Sequence, residues 1–376
     1  MEFKNLTAYL DNLDKNNVPS YRMQVYRNHE KLFDYFNATD ELYESEKDKK
    51  YYYIFSATKV ITCTALMQLV ENGKIGLDDA VSEYLPEFAE LHVRPNYKKA
   101  ESIMTVRHLM SMQSGLHYGL SDKAILDIKA KTDNKATTRQ IAEAISKQEL
   151  LFEPGTDYNY SLSHDVLAAI IEVVSGMKFS EYLNKNIFEP VGMTDTGFHA
   201  NEEIMSKMHA QFGINPYTHF ATLTPAVCIY KLSDNHESGG AGLYSTVDDY
   251  AKFVDALASG ETVSGKKLLK PETVEIMKTN QLCEKGLKTY RMTPTKVGYG
   301  YGLGVRTLMD RKAASSYAPN GEYGWDGAAG QFNMIDTENH ISLVYGQHVL
   351  GCTYCYNIVH PALRNLVYID LGLDIK

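Results

Sequence analysis

The sequence predicts a mixed α/β (α+β) fold in which strand-forming ends enclose a helix-rich middle, and three observations predict it. Near the start, Tyr21, Met23 and Val25 alternate with Arg22, Gln24 and Tyr26, which is the period of a strand or hairpin. Between residues 56 and 188 the apolar spacing is helical, and Pro or Gly punctuates the segments. Near the end, Val297, Tyr299, Tyr301, Leu303 and Val305 alternate strictly with glycines, and strand patterns follow at Phe332–Ile335 and Ile341–Val349.

In chain order, residues 1–18 read as a helix with Phe3, Leu6, Leu10 and Leu13 on one stripe, and residues 19–36 as the strand or hairpin. A short apolar run from Tyr51 to Phe55 ends at Ser56, where a helix begins. From Val60 to Val70 apolar residues fall on nearly every face, so this helix is buried all round, and Gly73 suits the left-handed position past its end. Val81–Phe88, interrupted by Pro86, comes next, and Thr105–Met112 is a short helix ending at Ser114-Gly115. The segments Ile141–Leu150, His164–Ser175 and Phe179–Phe188 are further helices, the second with Ser163 as its N-cap. The segment His117–Thr138 is a loop that the pattern does not place. Val247–Leu257 is a helix, and Val297–Val305 is a strand with one bare face that another backbone or a ligand can approach. Asp336 to Asn339 turn the chain between the last two strands, and Asn357–Val367 closes it as a helix.

At 376 residues the chain can bury a sizeable core and form two lobes. Its net charge of −9, with no basic cluster, argues against a nucleic acid or an anionic membrane surface as partner. No apolar run approaches the length that spans a bilayer, and an acidic residue follows Met1 with no cleavable apolar region after it. Five cysteines do not suggest a disulfide framework. Cys352 and Cys355 have redox-motif spacing but follow a strand pattern, and they read as two ordinary half-buried thiols. A cytoplasmic setting is expected. No His, Asp or Glu grouping has metal-ligand spacing, so neither metal nor cofactor is implied.

Ser56 stands at a helix N-terminus, where backbone N–H groups are unpaired and the dipole favours negative charge. Lys59 lies one turn on, on the same face. The spacing Ser-x-x-Lys also occurs at Ser175/Lys178 and Ser264/Lys267, but there a helix end or a glycine-flanked loop fails to fix the pair. Taken alone, Ser56 and Lys59 are as well read as a capping serine and a surface lysine. Pro154-Gly155 forces a turn that can present the Tyr160 hydroxyl to a cleft, although a packed aromatic is the plainer reading in a chain with 27 tyrosines. The run Gly324-Trp325-Asp326-Gly327-Ala328-Ala329-Gly330 holds the single tryptophan, and its small residues admit a substrate to backbone N–H groups. Gly260 to Lys267 nearly matches a phosphate-binding loop, but it follows a helix and lacks the closing Ser or Thr. Ser233-Asp234-Asn235 copies a short β-lactamase motif much too far along the chain.

Together, Ser56-x-x-Lys59, then Pro154-Gly155-Thr156 with Tyr160-Ser161, then Trp325-Asp326-Gly327-Ala328 resemble the serine β-lactamase and penicillin-binding-protein superfamily. The likeness is greatest to class C-type members and related serine esterases. Connecting segments resemble it too: Leu69 to Pro86, Thr105 to Leu116, Pro190 to Met193 and Ser238 to Ser245. The resemblance implies a mainly antiparallel sheet flanked by helices, built from residues 1–54 and 230–376. A mainly helical lobe of residues 55–229 is inserted, with the site in the cleft between them. It also implies an acyl-enzyme on Ser56, acid–base work shared by Lys59 and Tyr160, and an oxyanion hole from the N–H groups of Ser56 and Ala328. A cation beside the Tyr160 phenol is expected to favour its ionised form.

Two departures shape the expected substrate. Leu162 stands where the family's tyrosine motif has an asparagine, so that amide is missing unless His164 or another group substitutes. Trp325 stands where a Lys or His helps to hold a substrate carboxylate, and Asp326 beside it would repel an anion. With Trp325, Asp326, Gly327, Leu162 and His164 as candidate substrate-binding residues, the expectation is a carboxylesterase on a small or medium acyl ester. The alternatives are a DD-peptidase, D-aminopeptidase or weak β-lactamase on the same residues, or a homologue that binds without turnover. The residues do not tell hydrolysis from acyl transfer, which of Lys59 and Tyr160 is the resting base, or the oligomeric state.

Overall fold

Both ends of the chain build one seven-stranded antiparallel sheet. Its order is Tyr299–Tyr301, Arg306–Leu308, Tyr323–Gly324, Phe332–Asp336, Ile341–Gln347, Ser20–Arg27, Glu30–Ala38. The computed structural model describes residues 2–373. Side-chain alternation on the first strand assigns the two faces. Tyr21 sends its hydroxyl to the Leu10 carbonyl in helix Lys4–Asp11, while Gln24 donates to Asp248 in helix Val247–Ser259 at 2.7 Å. The first helix packs on the last, His360–Asp370, where the Asp370 carboxylate accepts from Asn5 at 2.6 Å and from the Leu6 amide at 2.8 Å. The fold is thus a mixed α/β one, an antiparallel sheet flanked by helices.

The helix behind Ser56 runs Thr58–Glu71 and is buried all round, as its unbroken apolar character predicts; every residue from Thr58 to Met67 is inside. Gly73 follows with φ +63°, the left-handed stop. Helix Ser163–Ser175 packs against it. Among the described residues, no helix is long and apolar enough to cross a membrane.

Several boundaries differ from the sequence reading. The first helix ends at Asp11, although Leu13 still joins the core. The helix over Ile141–Leu150 stops at Ile145, and Glu149–Leu150 becomes a short strand beside His92–Val93. Leu162, not Ser163, takes the N-cap position, and the Ser163 hydroxyl bonds those of Ser161 and Ser114 instead. The alternating run Val297–Val305 is not one strand: the Gly302 amide bonds the Val305 carbonyl at 2.8 Å and the chain doubles back. Its bare face meets protein, since a Cβ on Gly302 would lie 2.2 Å from the Met277 carbonyl. Val349–Leu350 leaves the main sheet to pair with Gln211–Ile214 of a hairpin the sequence did not announce. Helix Lys123–Lys131 occupies the unplaced loop, Pro271–Lys278 and Glu284–Tyr290 are also new, and the last helix starts three residues late, at His360, after one π-turn.

Candidate active site

Strand Tyr51–Tyr53 pairs with Tyr244–Thr246, and the chain then turns sharply through Phe55 at φ +45°. A bulky residue in that region costs about 1–3 kcal/mol. Here the buried ring is held among Tyr53, Tyr230 and His348. The turn delivers Ser56 into one 3₁₀ turn that runs into the buried helix.

Ser56 caps nothing; its hydroxyl accepts a hydrogen bond from Lys59 Nζ at 3.2 Å. Nor is Lys59 a surface lysine, having no exposed area at all. Its nitrogen also donates to the Gly240 carbonyl at 2.7 Å and to the Tyr118 hydroxyl at 3.1 Å, and it lies 4.6 Å from the centre of the Tyr160 ring. Burial lowers the Lys59 pKa from 10.5 to about 7, against the opposing pull of the Asp165 carboxylate. Tyr118 and Gly240 thus hold the amine in this chain, whose tyrosine motif lacks the asparagine. Each follows a stretch already singled out, Ser114-Gly115 and Ser238-Gly239, but nothing in the local sequence aims them at Lys59.

Tyr160 receives a hydrogen bond from Trp325 Nε1 at 2.9 Å. Burial pushes its phenol well above the usual 10, further than hydrogen bonds with Ser56 and Trp325 pull it back. The expected ionisation by the neighbouring cation is therefore overridden, and Tyr160 stays protonated at neutral pH. Aromatic neighbours wall the pair: Trp325 stands edge-on to Tyr301 with centres 4.9 Å apart, and Tyr118 packs on Tyr160 at 5.5 Å.

The turn carrying Ala328 is pinned from several sides. Gly327 N donates to the Gln331 carbonyl at 2.8 Å, Tyr356 donates to the Gly327 carbonyl at 2.7 Å, and Gln331 reaches the Tyr53 carbonyl at 2.9 Å. A Cβ on Gly327 would sit 2.5 Å from the Ile54 carbonyl, so glycine alone lets this turn approach the chain just before Ser56. Ser56, Tyr160, Trp325, Asp326, Gly327 and Ala328 all line one cavity of about 370 Å³. A larger one, about 490 Å³ beside Glu172, His199 and Glu237, has no nucleophile paired with a base.

Three sequence expectations need correction here. Leu162 and His164 do not line the cavity: both are buried, and His164 Nε2 lies 3.3 Å from Cys63 Sγ in the helix that follows Ser56. A position beside a helix start does not reveal which way its side chain turns. Asp326 does not stand as a free repelling charge, because Arg306 Nη1 donates to it at 3.3 Å and Lys296 Nζ lies 3.6 Å away. Cys352 and Cys355 are fully buried rather than half-buried, with sulfurs 2.9 Å apart, and Thr353, Tyr356 and Asn357 from the same segment line the cavity.

The sequence profile of the Beta-lactamase family matches residues 7–348. Among curated proteins, lovastatin esterase of Penicillium rubens is 28% identical over 77% of this chain and 77% of its own. Esterase EstB of Burkholderia gladioli is 27% identical over 83% of this chain and 81% of its own. Among solved structures, EstCE1, described as a hydrolase with promiscuous acyltransferase activity, superposes with a TM-score of 0.79. It is 23% identical and covers 97% of this chain and 98% of its own.

Proposed function

This chain belongs to the β-lactamase family, and from that premise we propose that it is a serine carboxylesterase working through an acyl-enzyme on Ser56. The observation that carries the reading is the buried Lys59 amine, 3.2 Å from the Ser56 hydroxyl and with its pKa brought to about 7. A lysine so placed is a neutral base for part of its population at physiological pH, which is what a serine nucleophile needs. Tyr160, held protonated, is the proton donor rather than the resting base.

In this reading Ser56 attacks the ester carbonyl and gives its proton to Lys59. Charge on the carbonyl oxygen is met by the N–H groups of Ser56 and Ala328. The proton passes through the Lys59–Tyr160 pair to the departing alkoxide, with Trp325 Nε1 fixing the phenol oxygen from behind. Water then repeats the sequence on the acyl-enzyme. The esterase names of two relatives support an ester over a β-lactam.

The test is intact-mass spectrometry after mixing with para-nitrophenyl butyrate or with a fluorescent penicillin, wild type beside Ser56→Ala. Ester turnover with a transient acyl adduct on Ser56, and little penicillin adduct, is the expected result. Unchanged turnover in Ser56→Ala would refute the mechanism, and a stable penicillin adduct would replace the esterase with a penicillin-binding protein.

A further inference from the structure

Next to the Trp325 indole stands a cation that the family's motifs do not include, Lys296. Lys296 comes from the short turn Pro294–Lys296, remote in sequence from every catalytic motif. Its Nζ lies 4.9 Å from the centre of the Trp325 ring, on the indole whose Nε1 donates to Tyr160. The side chain is partly exposed and lines the cavity with Ser56 and Tyr160. Among the described residues its ammonium makes no hydrogen bond; its nearest anion is Asp326 at 3.6 Å. With one side turned to Asp326, the ammonium still has donor capacity to offer a ligand in the cavity.

The surrounding charges leave that ammonium in surplus. Arg306 donates to Asp326 at 3.3 Å and to Glu322 at 2.7 Å, and Arg364 lies 3.5 Å from Glu322. His360 approaches Asp326 at 3.9 Å, but burial lowers its pKa to about 4, so it is neutral near pH 7. Lys296, Arg306 and Arg364 thus face the carboxylates Asp326 and Glu322, one cation in excess. Of the three, only Lys296 reaches the cavity. The apolar indole beside it keeps water from one side, which strengthens an ion pair formed there.

We propose that Lys296 is a specificity-determining residue that binds a carboxylate on the substrate, so that the preferred substrates are esters bearing a carboxylate near the scissile bond. This rests on the esterase reading above. Lys296 does from a separate turn what Trp325 does not do from the family's own position. Asp326, held by Arg306, serves to orient the lysine rather than to repel the ligand.

Two matched pairs of esters test this. On the alcohol side, para-(butyryloxy)benzoate is compared with its neutral methyl ester. On the acyl side, para-nitrophenyl hydrogen glutarate is compared with para-nitrophenyl valerate. The readout is the ratio of kcat/KM, charged over neutral, in wild type, Lys296→Met and Lys296→Arg. In at least one pair the ratio should fall about tenfold or more in Lys296→Met, the worth of one charge-assisted hydrogen bond, and recover in Lys296→Arg. Calorimetry of the charged esters with Ser56→Ala, with and without Lys296→Met, gives the same comparison without turnover. Ratios unchanged within twofold in both pairs, or equal affinity in the two Ser56→Ala backgrounds, would overturn the assignment of Lys296. If wild type turns over no ester, the esterase reading fails, and the calorimetry still decides Lys296.

Discussion

Replacing Lys59 by Met should stabilise the folded protein while abolishing turnover, and the stabilisation should shrink as pH rises. Lys59 has no exposed surface, and burial takes its pKa from 10.5 to about 7. Between those values the unfolded chain binds a proton at this residue that the folded chain does not, so wild-type stability rises with pH across the window. The cost is complete below pH 7 and gone above 10.5. At its fullest it is about 5 kcal/mol, from 1.36 kcal/mol per pKa unit. Lost hydrogen bonds to Gly240, Tyr118 and Ser56 offset part of the gain, at about 1 kcal/mol each. Those losses do not titrate in the same way, so the change in the gap with pH isolates the lysine. Between about pH 7 and pH 9 the stability difference between variant and wild type should close by about 2 kcal/mol. Urea unfolding at a series of pH values, followed by the fluorescence of the single tryptophan, Trp325, measures it. A gap constant across that range would mean that Lys59 keeps its proton in the fold, and the assignment of Lys59 as resting base would fall with it.

On the proposed mechanism the same amine also governs the rate. kcat/KM should fall below an apparent pKa near 7, about tenfold per pH unit as Lys59 takes up its proton; an acid limb near 4 would implicate a carboxylate instead. Trp325→Phe removes the donor to Tyr160 and should lower kcat about tenfold, with the phenylalanine ring keeping most of the wall; an unaltered kcat would show that Tyr160 needs no such support. Gly304→Ala sets a Cβ 2.3 Å from Cys63 Sγ at a φ of +76°. It should cost about 2–4 kcal/mol in urea unfolding. Adding Cys63→Ala should return the steric share alone; full recovery would show that the backbone carries no strain.

What the sequence revealed of the site follows the range of its physics. Ser56 and Lys59 are one helical turn apart, so their meeting follows from local geometry once the helix is recognised. Tyr160 and Trp325 stand out in their own segments, but only the resemblance joins segments so far apart in sequence into one site. Tyr118 and Lys296 were missed because a tyrosine on a loop and a lysine after Thr-Pro-Thr look like ordinary surface residues until tertiary packing points them inward. The glycine-alternating run at 297–305 shows the opposite error. Period-2 spacing predicted one strand, but glycine at φ +76° also permits the turn that splits it. The Gln211–Ile214 hairpin pairs with only two residues of a strand contributed by the far end of the chain, and no local pattern announces that.

The position of the first hairpin ties completion of the sheet to the part of the chain made last. Ser20–Arg27 lies between Glu30–Ala38 and Ile341–Gln347, so one of its neighbours is synthesised almost last. Until then the early hairpin keeps an open edge, a pairing of high sequence separation that forms slowly. Lys59 is made 181 residues before the Gly240 carbonyl that accepts from it, and Tyr160 165 residues before the Trp325 indole that donates to it. A lysine still in water keeps its proton, and the serine beside it has no base. On the proposed mechanism, a chain that still lacks its last strands holds Ser56 without its base, and completing the sheet is what supplies it.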